Sequence, residues 1–292
     1  MMRPAPDAPV IVGAAVVAAG FPAHDPVEVL GKRGLRYKDE ATRLGLAGVY
    51  TAFRDAGIDD CSDAVTAVIV SSNYGNLDTV CRIVGDGVDS GERGPMDLPN
   101  ASSNVIASSI AIRFGLFGPN LMLCSGANSG LDAVDWATVL LGSGRAARVV
   151  VVGVEVDNAA VRRFATARIP SGLFHGAGCI VVERADLATS PPHAVVGKCV
   201  RGPEVSASVA ATPVNRWYTP DFGTPAELVP VVHAEEVVDL AERIGAASGA
   251  LGIVQAVLAA TGHGRSLLTT GGDGTPLTAC LITSNSPTTF GE

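Results

Sequence analysis

The sequence is short of charge and of aromatic rings: charged side chains make up 17% of its 292 residues and aromatics 5%. Lys and Arg, at 21, are outnumbered by 29 Asp and Glu. The net charge of −8 therefore leaves no basic footprint for a phosphate backbone, and nucleic acid is not an expected partner. The six cysteines (Cys61, Cys81, Cys124, Cys179, Cys199 and Cys280) form no CxxC pair and have no His at metal-ligand spacing. They read as reduced thiols of a cytoplasmic protein, and no metal or other cofactor is expected. No repeat of 20 to 50 residues and no low-complexity segment is present. The opening MMRPAPDAP carries a single Arg, and the strand-like run after it is too short and Gly-broken for a signal sequence. One long uncharged run exists, Ile244 to Gly262. Its Ala, Gly and Ser content predicts a helix packed tightly by protein rather than a membrane span.

What is present is 47% hydrophobic residues and 34 glycines, a composition that suits buried parallel sheets under Ala-rich helices. VIVGAAVV (10–17), AVIVSS (67–72), LMLC (121–124), RVVVVGVE (148–155) and GAGCIVVE (176–183) read as strands. Apolar residues at Leu44, Ala47, Tyr50 and Phe53 predict a helix over 41–56 that stops at Gly57. A second helix is predicted from about Asn128 to Leu141, and a short one around Thr79 to Val84. After SPPHA, a boundary signal, come a strand near 195–200, a helix over 244–260 and a strand over 277–283. HAEEVVDLAER, starting at His233, has the spacing of a solvated amphipathic helix. The alternation is α/β in two unequal parts, 1–190 and 191–292.

The ordered segments resemble the ketosynthase (β-ketoacyl synthase) family of the thiolase superfamily. PNASSNVIASSIAIRFGLFGPNLMLCSGANSGLDAV is similar to the stretch in which a Gly-Pro turn leads into a strand ending at the catalytic cysteine. HGAGCIVVE is similar to GxGAGVLVLE, IGAASGALG to the GHxxGAAG helix, and TTGGDGT to the GFGGTN loop. The resemblance implies a thiolase-like layered αβαβα fold of two related halves, with the second half shortened.

The same resemblance implies a vacated active site. Counting from Gly118-Pro119, the nucleophile falls on Ala127, not on Cys124. The second histidine of the family falls on Ala246, its lysine on about Ala241 and its gating Phe on Gly272. The first histidine, of the HGTGT motif, has no counterpart, since the region from Val200 to His233 is too short to hold it; Gly223-Thr224 bears only a faint likeness. Cys124 is expected as a small buried core thiol. Ser125, Asn128, Ser129 and His175 are the residues expected to line what pocket remains. Ser125 and Ser129 flank the elbow but have no His near in sequence to act as base, and His175 is the surviving acid-base candidate against a hydrogen-bonded structural role. His24, His193 and His263 fall in Pro- or Gly-rich loops where exposure is expected. Arg162, Arg163 and Arg168, with Lys32, Arg33, Arg36 and Lys38, are the basic concentrations, read as surface solubility or as docking for a carrier or subunit.

Two function classes follow. One is a non-catalytic, chain-length-factor-like subunit that pairs with an active ketosynthase through the strand 121–124 and shapes its acyl pocket, an acyl carrier protein docking on the partner. The other is an enzyme of altered chemistry on acyl thioesters, by acyl transfer or cyclisation, using Ser125, Ser129 or His175.

Overall fold

The computed structural model describes residues 4–19, 21, 31–35, 37–61, 64–89, 97–165, 172–210, 212–272 and 274–284. Arg36, Arg168, His24 and Asp273 lie outside them. The strands are β1 (Pro9–Ala18), β2 (Thr66–Ser71), β3 (Asn120–Leu123), β4 (Arg148–Glu155), β5 (Gly176–Arg184), β6 (Ala194–Val196), β7 (Val200–Arg201), β8 (Val214–Tyr218), β9 (Ala234–Val238), β10 (Gly264–Gly272) and β11 (Thr275–Ser284). The helices packed on them include α1 (Glu40–Asp55), α2 (Val105–Phe114), α3 (Ser129–Gly142) and α4 (Leu251–Thr261).

The strands run in the order β3-β2-β4-β5-β1-β6-β11-β10-β8-β9, with β7 paired to β11. The short strand β6 pairs with both β1 and β11 and so joins the run β3-β2-β4-β5-β1 to the run β11-β10-β8-β9. Pairing is mixed: β2 is parallel to β3 and β4, whereas β4 and β1 each run antiparallel to β5. Antiparallel pairing is more common here than composition suggested, because β1 returns to the sheet centre beside β5.

Side-chain alternation divides the core into layers. On β4, Val150, Val152 and Val154 face α1 and α2, while Val149 and Val151 face α3 and α4. On β11, Cys280 and Ile282 face the same inner helices and Leu277 and Ala279 face the opposite way, toward the short helix Glu204–Ala210. The order is therefore outer helices, sheet, α3 and α4, sheet and a thin outer cover, the thiolase-like layered α/β fold that the resemblance implied.

The inner helices meet backbone to backbone. A Cβ on Gly130 would lie 2.6 Å from the Gly252 nitrogen, and one on Gly252 would lie 2.6 Å from the Leu131 nitrogen. This close approach explains the small-residue run in 244–262, which is a buried packing helix; among the described residues no helix is long and apolar enough to cross a membrane.

Local readings changed in five places. Leu77–Asp89 is one 13-residue helix, longer than the short turn expected around Thr79. The strand near 195–200 is split into β6 and β7, since Gly197 presses its N–H onto the Leu281 carbonyl at 2.7 Å and breaks the register. The helix expected over 244–260 begins only at Ser248: Gly245 takes φ +83°, and Ala246 pairs with Leu173 as a β-bridge. The stretch after His233 is strand β9 and not a helix, because it pairs in parallel with β8; Asp239 then caps a short helix at Leu240–Ile244. The strands β8 and β10 were not anticipated.

Candidate functional site

The elbow is built where β3, the outermost strand, meets α3. The strand ends at Leu123, Gly126–Asn128 form a single 3-10 turn, and Ser129 starts the helix. Ala127 occupies the middle of that turn and is half-buried. Ala241 and Ala246 are buried, Ala246 just before the turn Ser248–Ala250 that meets the elbow, and Gly272 closes β10. These four positions contribute three methyl groups and a hydrogen, with no group able to transfer a proton or attack a carbonyl.

Hydrogen bonds knit the loops around this turn. Asn128 donates Nδ2–H to the Pro276 carbonyl at 2.8 Å, and its Oδ1 accepts from Thr270 Oγ1 at 2.9 Å, tying the elbow to the loop between β10 and β11. Asn73, just after β2, donates from Nδ2 to the Gly126 carbonyl and to Ser248 Oγ, while its Oδ1 accepts from the Gly126 N–H. Ser71 Oγ bonds the Gly249 carbonyl and lies 2.9 Å from Ser129 Oγ. A hydroxyl has one proton. With that of Ser71 on the carbonyl, Ser129 donates to Ser71 and accepts from the Ser125 N–H at 3.4 Å, so the fully buried Ser129 hydroxyl is committed. Ser125 is exposed and donates to Asp132 Oδ2 at 2.6 Å; Arg201 in turn pairs with Asp132.

Two carboxylates, the half-buried Asp221 and the buried Glu155, organise the turn that carries Ala246. Asp221, on the loop after β8, accepts the Ala247 N–H at 3.1 Å and the Ser248 N–H at 2.6 Å. Glu155, at the end of β4, accepts from Gly249 N–H, Asn73 N–H, Tyr74 N–H and Ser72 Oγ. Three successive amides, 247 to 249, thus point at carboxylates, and Ser248 takes the left-handed φ of +46° that such a concave run requires. Burial pushes Glu155 up to about 7 against the opposing pull of its four donors, and pushes Asp221 up to about 6. Neither residue has a sequence signal: their partners lie 26 to 94 positions away.

The predicted site residues are not all brought together. Ser125, Asn128 and Ser129 are at the elbow. His175 lies two residues past Leu173, the bridge partner of Ala246, but its Nδ1 accepts the Asp157 N–H at 3.2 Å and its Nε2 is 3.7 Å from Glu40. It is hydrogen-bonded at the mouth of α1. Cys124 is exposed, not a core thiol, since it follows the end of β3, an end strand of the sheet. Partial burial and the Glu155 charge push its thiol up, away from reactivity. His193, expected in an exposed loop, is half-buried and pairs with Asp55 at 2.9 Å, which raises its pKa. His263 is exposed, and His233 lies just before β9, its carbonyl accepting the Val214 N–H, in a shallow groove with Glu235 and Arg265. Among the described basic residues, Arg162 pairs with Asp157 and Lys38 donates to Ser109, while Arg163 is exposed.

Beside the elbow, a cavity of about 620 Å³ opens between the loops 202–206, 220–227 and 271–277. Phe222 lies against Gly272, 3.8 Å from where a Cβ would stand there.

Residues 14–173 match the family model of the β-ketoacyl synthase N-terminal domain. The chain belongs to the β-ketoacyl synthase family. Within it, the chain is 27% identical over 135 residues to 3-oxoacyl-[acyl-carrier-protein] synthase 2 of Vibrio harveyi, covering 45% of this chain and 32% of that protein. It is 24% identical over 198 residues to the synthase of the same name from Coxiella burnetii, covering 59% of this chain and 48% of that one. The chain thus spans from a third to about half of the length of these two β-ketoacyl synthases. Among solved structures, the ishigamide ketosynthase/chain length factor superposes with a TM-score of 0.72 at 21% identity, over 96% of this chain and 100% of that chain. A type II polyketide synthase ketosynthase complex, of an acyl carrier protein with its ketosynthase bound to the hexaketide, superposes with a TM-score of 0.78 at 11% identity, over 96% and 100% of the two chains. At these identities the superpositions establish the shared fold.

Proposed function

We propose that this β-ketoacyl synthase homologue is a non-catalytic, chain-length-factor-like subunit that pairs with an active ketosynthase in type II polyketide or fatty-acid-type biosynthesis and shapes its acyl pocket. The observation that carries the reading is Ala127, a methyl group in the strand-to-helix turn where covalent catalysis needs a nucleophile. The surroundings agree with it. The amides of Ala247 and Ser248 are spent on Asp221 and that of Gly249 on Glu155, so a developing oxyanion there would meet the Asp221 carboxylate where catalysis requires donors.

The edge of the sheet supports pairing. Among the described residues β3 has a neighbouring strand on one side only, and around it stand Phe117 and Ile112, 92% and 83% exposed, with Trp136 and Val139 on α3. An open edge strand flanked by large apolar side chains is a surface that proteins cover. The proposed occupant is the corresponding edge of an active ketosynthase, with the acyl carrier protein docking on the partner and the segments 1–190 and 191–292 acting as the two related halves.

Co-expression with type II ketosynthases from the same genome tests this. The expected result is a stable one-to-one complex, from which Phe117→Glu releases this chain still folded. A soluble monomer that joins none of them would overturn the reading. Turnover of a malonyl or acyl thioester by the isolated chain, lost on Ser129→Ala or His175→Ala, would establish the altered-chemistry enzyme instead.

A further inference from the structure

A pair of thiols lies beneath the elbow, and the proposed pairing role does not use it. β7 and β11 are antiparallel with Val200 opposite Ala279 and Arg201 opposite Thr278, so the next step of the same register sets Cys199 beside Cys280. Both side chains face the inner helices and sit in the same buried cluster. The register aligns no other two cysteines in the described strands, since Cys179 stands opposite Ala15 and Val152. Cys199 Sγ also contacts the Leu131 carbonyl in the first turn of α3, and Cys280 Sγ contacts the Gly197 carbonyl.

We propose that Cys199 and Cys280 are a reversible redox pair that closes to a disulfide with hydrogen peroxide as oxidant and thereby adjusts the elbow and the neighbouring cavity. Cys199 is 9% exposed and Cys280 1%, so the oxidant must be small and neutral, and it meets Cys199 first. The Cys199 sulfur takes one peroxide oxygen to become a sulfenic acid while the O–O bond breaks and releases water. The Cys280 sulfur then displaces the sulfenic oxygen as a second water. Two thiols lose two protons and two electrons, and one peroxide becomes two waters.

Geometry makes the bond a switch rather than a permanent brace. Facing Cβ atoms on antiparallel strands are about 4.5–5.5 Å apart, whereas a disulfide wants about 3.5–4.5 Å. Closure draws the strands together and stores strain, which leaves the bond easy to reduce. Contact with Cys280 and burial both push the Cys199 thiol up, so closure at neutral pH is slow and quickens as pH rises. The effect has a route outward. Closure takes Cys199 off the Leu131 carbonyl, and two residues on, Arg201 holds Asp132, the acceptor of Ser125 Oγ. Gly202, bonded to the Leu277 carbonyl, and Leu277 itself both line the cavity.

Peroxide treatment of the whole folded protein, followed by alkylation under denaturing conditions and non-reducing peptide mass mapping, tests the pair. The expected result is one linked Cys199–Cys280 peptide and a fall in free thiols from six to four, restored by dithiothreitol. Cys124→Ser leaves the yield unchanged and Cys199→Ala abolishes the link. Hydrogen exchange at the amides of 125–132 should shift severalfold on oxidation; unchanged exchange there would overturn the coupling to the elbow. Full alkylation of Cys199 and Cys280 after peroxide, with oxidation at Cys81 or Cys124 instead, would overturn the pair itself.

Discussion

Replacing Glu155 by Gln should alter how stability depends on pH. Glu155 is 3% exposed, and burial raises its carboxyl from an ordinary value of 4.5 to about 7 despite four hydrogen-bond donors. The folded state therefore holds a proton through a range in which the unfolded chain has already released it. Stability falls as pH rises through that range, from about 4.5 to about 7, and the loss is complete above it. A tenfold change in proton affinity is worth about 1.4 kcal/mol. Between about pH 5 and pH 8 the wild type should lose about 2.5 kcal/mol that the Gln variant does not. Asp221, raised to about 6 by burial, adds a loss of the same sign, but it is present in both proteins and drops out of the difference. Urea unfolding of the two proteins at a series of pH values measures this directly. Parallel stability curves from pH 5 to pH 8 would refute the argument, because Glu155 would then carry no proton in the folded state near neutrality.

Gly130→Ala should lower stability by about 1–3 kcal/mol, since its Cβ would press on the Gly252 backbone at 2.6 Å; thermal unfolding reads the loss. Phe117→Glu should change stability by no more than about 0.5 kcal/mol, because the ring is 92% exposed, while abolishing capture of a partner in a pull-down. His193→Ala should destabilise more at pH 5.5 than at pH 8.5. Asp55 raises the imidazole pKa, so the pair's contribution is whole below the ordinary value of 6.5 and disappears as pH rises through the folded one. Its size is under about 1 kcal/mol for so open a pair, read from denaturant midpoints.

The first half of the fold was legible because its strands are long β-branched runs, as in RVVVVGVE, buried on both faces and bounded by turns. The second half was not, because β8, β9 and the start of β10 are short and polar. In HAEEVVDLAER the helical spacing comes partly from Leu240 and Ala241, which belong to a separate short helix, and the preceding residues take the strand that β8 offers. At the site, the Gly118-Pro119 landmark put Ala127 in the strand-to-helix turn, where it lies. Glu155, Asp221, Asn73 and Ser71 were not legible, since each acts on partners brought in from distant loops. Cys124 was misplaced for a related reason: alternation along a strand fixes which face a residue takes, not whether that face is covered.

Intact-mass measurement of the purified chain after incubation with acyl and malonyl thioesters tests the central claim most directly. With methyl groups at 127, 241 and 246, the account predicts an unchanged mass and no released carbon dioxide. An acyl adduct on Ser125, Ser129 or Cys124 that turns over would contradict it.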